Sequence, residues 1–299
     1  MLPIYKPKGI TSSKVTHTLR TLLHQSDVGH VGTLDPAAQG LMLILVGKAT
    51  RLEQLLHLFP KTYMVVAEFG FETDTLDTEG NIVVRTDNTA FARSRIFSAC
   101  QRQVGNITQI PPLFAAVKYR GRPLYYYARN NLAVPLAQLK RQVSVLSIRI
   151  NAWQPPRLKL CVTCRKGVYI RSLVRDIAHS LGSCATVLDI VRTEAYGLSS
   201  RMAWSLAEIS SANVGNCLLP ITSLPLPRLQ VSSEEQMRRL RHGDKLMYDN
   251  KWIVAGSAIM FGGSFLLTYN TDKVFGIGKF IKDDKLQMCR SLFTEKLYV

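Results

Sequence analysis

Residues 29–46 read GHVGTLDPAAQGLMLILV: a glycine- and proline-bounded turn carrying one carboxylate, Asp35, then the apolar run Leu41 to Val46. The two glycines allow backbone conformations closed to other residues and let a large ligand approach. Pro36 fixes its own φ and pushes Asp35 toward extended backbone, so the chain itself sets the direction of the carboxylate. The run LMLILV reads as an apolar strand. A single pre-aimed acid in a chain with 38 Lys+Arg against 21 Asp+Glu points to chemistry on a polyanion.

The chain has 299 residues, enough for a large domain and a small one, and at 46% hydrophobic and 20% charged it has the material for a sizeable core. Its net charge of +17 and pI of 9.8 favour phosphate-rich partners. A membrane surface is the competing polyanion. No basic amphipathic helix with a strong apolar face is evident, and no run approaches the ~20 apolar residues of a membrane span. The start, MLPIYKPKG, lacks the apolar core of a signal peptide and reads as mature, cytoplasmic protein. Six scattered cysteines (Cys100, Cys161, Cys164, Cys184, Cys217, Cys289) suit reduced thiols. Cys161 and Cys164 form a lone CxxC inside a strand pattern with no second pair, so no metal centre is expected.

A helix is predicted over 12–24, capped by Ser12 or Ser13, with Val15, Leu19, Leu22 and Leu23 on one face. GHVGTLDP reads as a loop, and a second helical stretch lies around Thr50 to Leu58. Tyr63, Val65, Ala67 and Phe69 alternate along a strand. Residues 71–80 form an acidic turn closing toward Ile82–Val84, and residues 90–104 look helical. Ile110-Pro111-Pro112 breaks the chain. Residues 118–142 interleave Lys and Arg with Tyr125, Tyr126 and Tyr127. Strands follow near Val143 to Trp153 and Arg157 to Cys164. A helix then starts near Tyr169 or Arg171, with Leu173, Ile177 and Leu181 spaced by four and Gly182 as its stop. The irregular alternation, without βαβ units or repeats, argues for an α+β fold. Residues 219–227 (LPITSLPLP) read as a linker. Beyond them come a short basic helix, Ser233 to Arg241, and glycine-punctuated strands (WIVAG, SFLLTYN, KVFGIGKF) suited to a compact barrel.

IYKPKGITS, GHVGTLDP, KTYMVVAEFGFETDTLDTEG, Ile110-Pro111-Pro112, CRKGVYIRSLVRD and VRTEAYG occur in an order and spacing that resemble the TruB family. Its members are tRNA pseudouridine synthases that act at position 55 of the T loop. The resemblance covers essentially the whole chain. It implies a mixed, mainly antiparallel sheet with flanking helices over 1–222, an RNA-contacting insertion at 118–142, and a small β-barrel PUA-like RNA-binding domain over 228–299. It also implies a monomer that needs no cofactor or metal and whose partner is the T stem-loop of tRNA.

Asp35 matches the family's catalytic acid; taken alone, it reads as a turn residue. Breaking a glycosidic bond builds positive charge on the sugar, which a nearby carboxylate can stabilise or attack. Water must be kept out, since hydrolysis would leave an abasic site. Tyr63 matches an active-site tyrosine whose ring could stack on a flipped uracil and whose hydroxyl could help remove the C5 proton. Arg171 matches the arginine that pairs with the catalytic acid, and Tyr169 would pack beneath the site. Asp77 either joins the arginine's network or serves only its turn. His30 either stacks against T-loop bases or is an ordinary structural histidine. Lys6 supports the active-site loop or a phosphate.

Lys118, Arg120, Arg122, Tyr125 and Arg129 fit the insertion that folds over RNA, by stacking and phosphate contact. Arg238, Arg239, Arg241 and Lys245 are candidates for a phosphate grip in the C-terminal module, or a solvated helix face. The chain departs from the family pattern at Tyr5, where an acid commonly stands, at Arg165 and Val168, and at Leu198. Three other readings are open: an RNA-binding or RNA-folding protein that does not depend on catalysis, a guide-dependent paralogue, and a glycosidase. The glycosidase reading lacks an evident partner carboxylate.

Overall fold

The computed structural model describes residues 1–247, 249–252, 263–269, 273–281 and 285–292. The apolar run becomes β3 (Gln39–Val46), buried throughout from Gly40 to Leu45. Its alternate residues enter two different cores. Met42 and Ile44 join one cluster; Leu41, Leu43 and Leu45 join another on the opposite face. A strand covered on both sides has no place for a polar residue, which explains the unbroken LMLILV.

Around β3 grows a ten-stranded sheet. Its further members are β1 (Leu2–Lys6), β2 (Val28–Val31), β4 (Lys61–Phe69), β7 (Gly105–Gln109), β10 (Arg141–Gln154), β11 (Arg157–Cys164), β12 (Ala185–Ala195), β13 (Leu198–Ser199) and β14 (Trp204–Ser205). The order is β14-β1-β3-β12-β4-β11-β10-β7, with β2 on β3 and β13 on β12. The β1–β14 and β3–β12 pairs are parallel and the rest antiparallel, so the fold is α+β with a mixed, mainly antiparallel sheet. The short hairpin β5 (Phe71–Thr73) and β6 (Ile82–Arg85) stands apart from it.

One core packs helices on the sheet. α1 (Ser12–Leu22) contributes Val15 and Leu19, α3 (Arg93–Gln101) contributes Ile96 and Ala99, and α5 (Ile170–His179) contributes Leu173, Val174 and Ile177. Each large aliphatic side chain so buried stabilises by ~1.5–3 kcal/mol relative to exposure. The second core joins the other face of β3 to the C-terminal region through Leu266, Ile277 and Leu292.

Several expectations are corrected. Thr11, not Ser12 or Ser13, caps α1 by accepting from Lys14 N, because Ser12 is buried and bonded elsewhere. The first residues of GHVGTLDP belong to β2, which pairs with β3 as a hairpin. Residues 47–52 form a 3-10 turn before the four-residue α2 (Glu53–Leu56), in place of one longer helix. Within the stretch over 219–227, Leu224 and Leu226 are buried in the second core. β12 was not read from the sequence. Bulges after Val187 and Arg192 break its alternation, and Asp189, Arg192 and Glu194 interrupt its apolar run.

The insertion at 118–142 forms a minimal hairpin, β8 (Lys118–Tyr119) and β9 (Arg122–Pro123), then α4 (Leu124–Arg129) and a 3-10 turn. After β15 (Arg228–Gln230) comes α6 (Glu234–Arg241), capped by Ser233. With β15, the strands β16 (Lys245–Met247), β17 (Ser264–Tyr269), β18 (Lys273–Ile281) and β19 (Lys285–Ser291) form a five-stranded sheet in the order β15-β17-β18-β19-β16. Leu229, Leu240, Trp252, Phe265, Phe275 and Leu286 give this region its own core. Of the expected WIVAG strand, Trp252 ends a 3-10 turn, and residues 253–256 lie outside the described residues. Among the described residues no helix is long and apolar enough to cross a membrane.

Candidate active site

Asp35 sits on the connection between β2 and β3, and the backbone on both sides of it is tied down. Ser12 Oγ donates to Leu34 O at 2.8 Å and accepts from Leu34 N at 2.9 Å. Lys6, wholly buried, donates from Nζ to the carbonyls of Pro7, Ile10 and Pro36. Gly9 N donates to Pro36 O at 2.9 Å. The carboxylate's direction is thus set by residues flanking it in space as well as by Pro36. Lys6 therefore supports the loop, with its donors turned onto carbonyls. Burial lowers its pKa to about 8, against the opposing pull of Asp35.

Arg171, the second residue of α5, joins three segments. Its Nη2 donates to Asp35 Oδ2 at 2.7 Å and to Phe114 O at 3.0 Å, and its Nη1 donates to Thr75 O at 2.6 Å. Nη1 also lies 3.3 Å from Asp77 Oδ2. The arginine is 4% exposed, Asp77 7% and Asp35 35%, so the pair with Asp35 lies at the mouth of a buried network. Asp77 is the inner member: its Oδ1 accepts from Thr75 Oγ1 at 2.7 Å and from Glu79 N at 3.0 Å. Two carboxylates on one planar fork hold its position as a single ammonium could not.

The open face of Asp35 looks into a cleft of about 90 Å³ lined by Leu34, Tyr63, Val168, Tyr169, Arg171 and Ile190 among others. Burial raises the pKa of both tyrosine hydroxyls. Tyr169 is held by its backbone: its N donates to Gln109 Oε1 at 2.8 Å and its carbonyl accepts from Gln109 Nε2 at 3.2 Å. The structure thus brings Asp35, Tyr63, Tyr169, Arg171 and Asp77 together, with Lys6 behind the loop.

The remaining candidates stand elsewhere. His30 is half-buried on β2, its ring between Thr16 Oγ1 at 3.1 Å and Thr33 Oγ1 at 3.2 Å. Burial lowers its pKa. Lys118, Arg120, Arg122, Tyr125 and Arg129 are exposed on the insertion, where Arg122 stacks over Tyr126 and Arg129 over Tyr125. On α6, Arg239 bonds to Asp244 at 2.9 Å, Arg238 is exposed and Arg241 is half-buried, while Lys245, also exposed, opens β16.

Sequence reasoning missed Ser12 as a loop anchor, Gln109, Ile190, Lys61 and Arg192. Arg192 is fully buried on β12 beside Tyr63, donating to Leu41 O at 2.6 Å and Gly32 O at 2.9 Å. Its only local signal was a charge in an apolar stretch, VRTEAYG.

The buried lysines have a measurable consequence. Lys6 and Lys61 have folded pKa values near 8 against an ordinary 10.5. Between those values the unfolded chain binds more protons, so stability rises with pH. Cys100 and Cys164, raised from 9.0 to about 12, oppose this above pH 9. The melting temperature is expected to climb between about pH 8 and 9 and then flatten. A fall across that interval in a thermal-melt series would contradict the burial of the two lysines.

Residues 20–170 match the family described as TruB family pseudouridylate synthase (N terminal domain). The tRNA pseudouridine synthase B of Lactobacillus gasseri is 33% identical over 280 residues, covering 89% of this chain and 92% of that protein. That of Halalkalibacterium halodurans is 35% identical over 264 residues, covering 84% and 85%. A chain in the crystal structure of a Cbf5-Nop10-Gar1 complex shares the fold with a TM-score of 0.73 at 21% identity, over 98% of this chain and 84% of that one. A chain of an archaeal box H/ACA sRNP Nop10-Cbf5 complex gives 0.69 at 19% identity, over 99% and 88%.

Proposed function

The chain belongs to the TruB family of pseudouridylate synthases, and on that premise we propose that it isomerises uridine to pseudouridine at position 55 in the T loop of tRNA, with Asp35 as the catalytic carboxylate. The observation that carries this reading is the 2.7 Å ion pair between Arg171 and Asp35 at a cleft shared with two tyrosines. A target uridine flipped from its loop would enter that cleft. The N1–C1′ bond breaks, the uracil turns while still held, and a C5–C1′ bond forms. N1 gains a proton and C5 loses one, so the reaction balances without a co-reactant.

Asp35 faces the sugar, where positive charge develops as the first bond breaks. Arg171 keeps that carboxylate aimed. Leu34, Val168 and Ile190 give the cleft apolar walls that disfavour water, which would otherwise capture the sugar. Tyr63 lies against the uracil, and its hydroxyl serves the proton at C5. Tyr63→Phe keeps the ring and loses the hydroxyl. It is expected to lower the single-turnover rate by about 10²-fold with RNA affinity nearly unchanged. Loss of affinity with an unaltered rate on bound RNA would remove Tyr63 from this role.

RNA would be gripped outside the cleft by the insertion at 118–142 and by a PUA-like domain over 228–299, with the catalytic domain spanning 1–222. The stacked Arg122–Tyr126 and Arg129–Tyr125 pairs suit bases and phosphates together. Arg238, Arg241 and Lys245 suit the phosphates of a helical arm. The deciding experiment maps pseudouridine in T-loop RNA incubated with the purified protein alone. Modification of that one uridine supports the reading. Tight binding without modification favours an RNA-binding role, and modification only with an added guide ribonucleoprotein favours a guide-dependent enzyme.

A further inference from the structure

Lys61 is a buried cation that the mechanism leaves unused. It opens β4, pairs with Cys164 on β11 and Ala195 on β12, and is 6% exposed. Its Nζ stands 5.6 Å from the centre of the Tyr196 ring. It makes no hydrogen bond or ion pair among the described residues. The contrast with Lys6 is direct: that lysine, equally enclosed, has three backbone carbonyls for its donors.

The surroundings of Lys61 are positive. The groups acting on it are Arg192, Lys166 and the thiol of Cys164, which burial keeps protonated. No carboxylate is among them. Arg192 is itself fully buried, donates to two carbonyls, and leaves one Nη2 without a partner. Keeping cations largely out of water without a counter-charge is costly to the folded state. Burial pushes the Lys61 pKa down to about 8. A lysine that served only packing would be replaced by an apolar side chain to advantage.

Its position supplies the reason for keeping it. A β-carbon on Gly32, whose φ is +65°, would stand 2.9 Å from Lys61 Cε. The lysine stem therefore lies directly under the turn that carries Asp35 three residues later. Lys61 also shares a face of β4 with Tyr63, two residues or about 7 Å along the strand. Thr33 and Lys166, both exposed, border the same corner.

We propose that Lys61 is the seat of a backbone phosphate of the substrate RNA beside the flipped uridine, its ammonium set against the Tyr196 ring and left without a hydrogen-bond or ion-pair partner in the protein for that anion. The inference rests on the reading above that RNA enters the Asp35 cleft. A phosphodiester brings one negative charge and two acceptor oxygens, which a compact ammonium with three donors can meet from several directions. Phosphate contacts fix register without reading sequence, which is what a nucleotide swung out about its own backbone requires.

The test compares the wild-type chain with Lys61→Met, which keeps the stem and removes the charge. Binding of a T stem-loop RNA is measured over a salt series. The RNA is also made with single uncharged methylphosphonate linkages at each phosphate flanking the target uridine. Lys61→Met is expected to bind about tenfold more weakly at low salt, with the log–log salt slope shallower by about 0.7–0.9, one phosphate's share. One methylphosphonate position should weaken wild type by a similar factor and leave Lys61→Met unaffected. The melting temperature of Lys61→Met should hold or rise, so that weaker binding is not a loss of fold. Unchanged affinity and slope, or equal sensitivity of both proteins at every linkage, overturns the proposal. So does a parallel loss of binding and melting temperature. If wild type binds the RNA yet makes no pseudouridine, the catalytic reading fails, and the methylphosphonate comparison still judges Lys61.

Discussion

Asp35→Asn is expected to lower pseudouridine formation by about 10³-fold or more while tRNA binding stays within about threefold. The substitution keeps the side chain's shape, and Ser12, Lys6 and Gly9 still hold the backbone of the turn. What disappears is the negative charge facing the sugar and half of the ion pair with Arg171. An amide can still accept one hydrogen bond from the guanidinium, so the fold should survive. Single-turnover kinetics on saturating T-loop RNA, beside a binding isotherm and a thermal melt, check this. Near-normal turnover would show that Asp35 is not the catalytic group, and the cleft would then need another one.

Arg171→Lys carries the second large effect. The charge is retained, but the planar fork that reaches Asp35, Asp77, Thr75 O and Phe114 O is lost. One ammonium cannot serve two carboxylates and two carbonyls arriving from separate segments. The rate on bound RNA is expected to drop by about 10²-fold, as misaimed catalytic groups typically produce, with a much smaller loss of affinity. The melting temperature should also fall, because Asp77 remains buried with poorer pairing. If Arg171→Lys bound weakly but turned over normally once bound, the arginine would be an RNA contact and not the residue that aims Asp35.

These two expectations differ in how far they could be read beforehand. Asp35 stood out locally as one acid in a turn that glycine frees and proline constrains, while the catalytic role expected of it came from the resemblance. Arg171 stood out only through the resemblance of CRKGVYIRS to a family motif, since an arginine near the start of an amphipathic helix is ordinarily solvated. Nothing local announces that its side chain is 4% exposed. Gln109, which clamps both backbone groups of Tyr169 from 60 residues away, carried no local sign at all. β12 was hidden for a different reason: two bulges shift its alternation, so a period-two reading loses phase twice in eleven residues.

The α+β class, the apolar strand LMLILV, the strongly basic balance of the chain and the constrained turn at Asp35 were legible from the residues alone. Each of these follows from composition, from short-range periodicity or from backbone stereochemistry. It took the folded chain to show that Leu224 and Leu226 are buried, that Asp77 and Asp35 share one guanidinium, and that Lys61 and Arg192 are enclosed beneath the turn that carries Asp35. Those facts depend on groups 136 residues apart for Asp35 and Arg171, and 160 apart for Gly32 and Arg192. Desolvation and charge pairing act through space. A side chain's surroundings are therefore set by which strands meet in the sheet, and not by its neighbours along the chain.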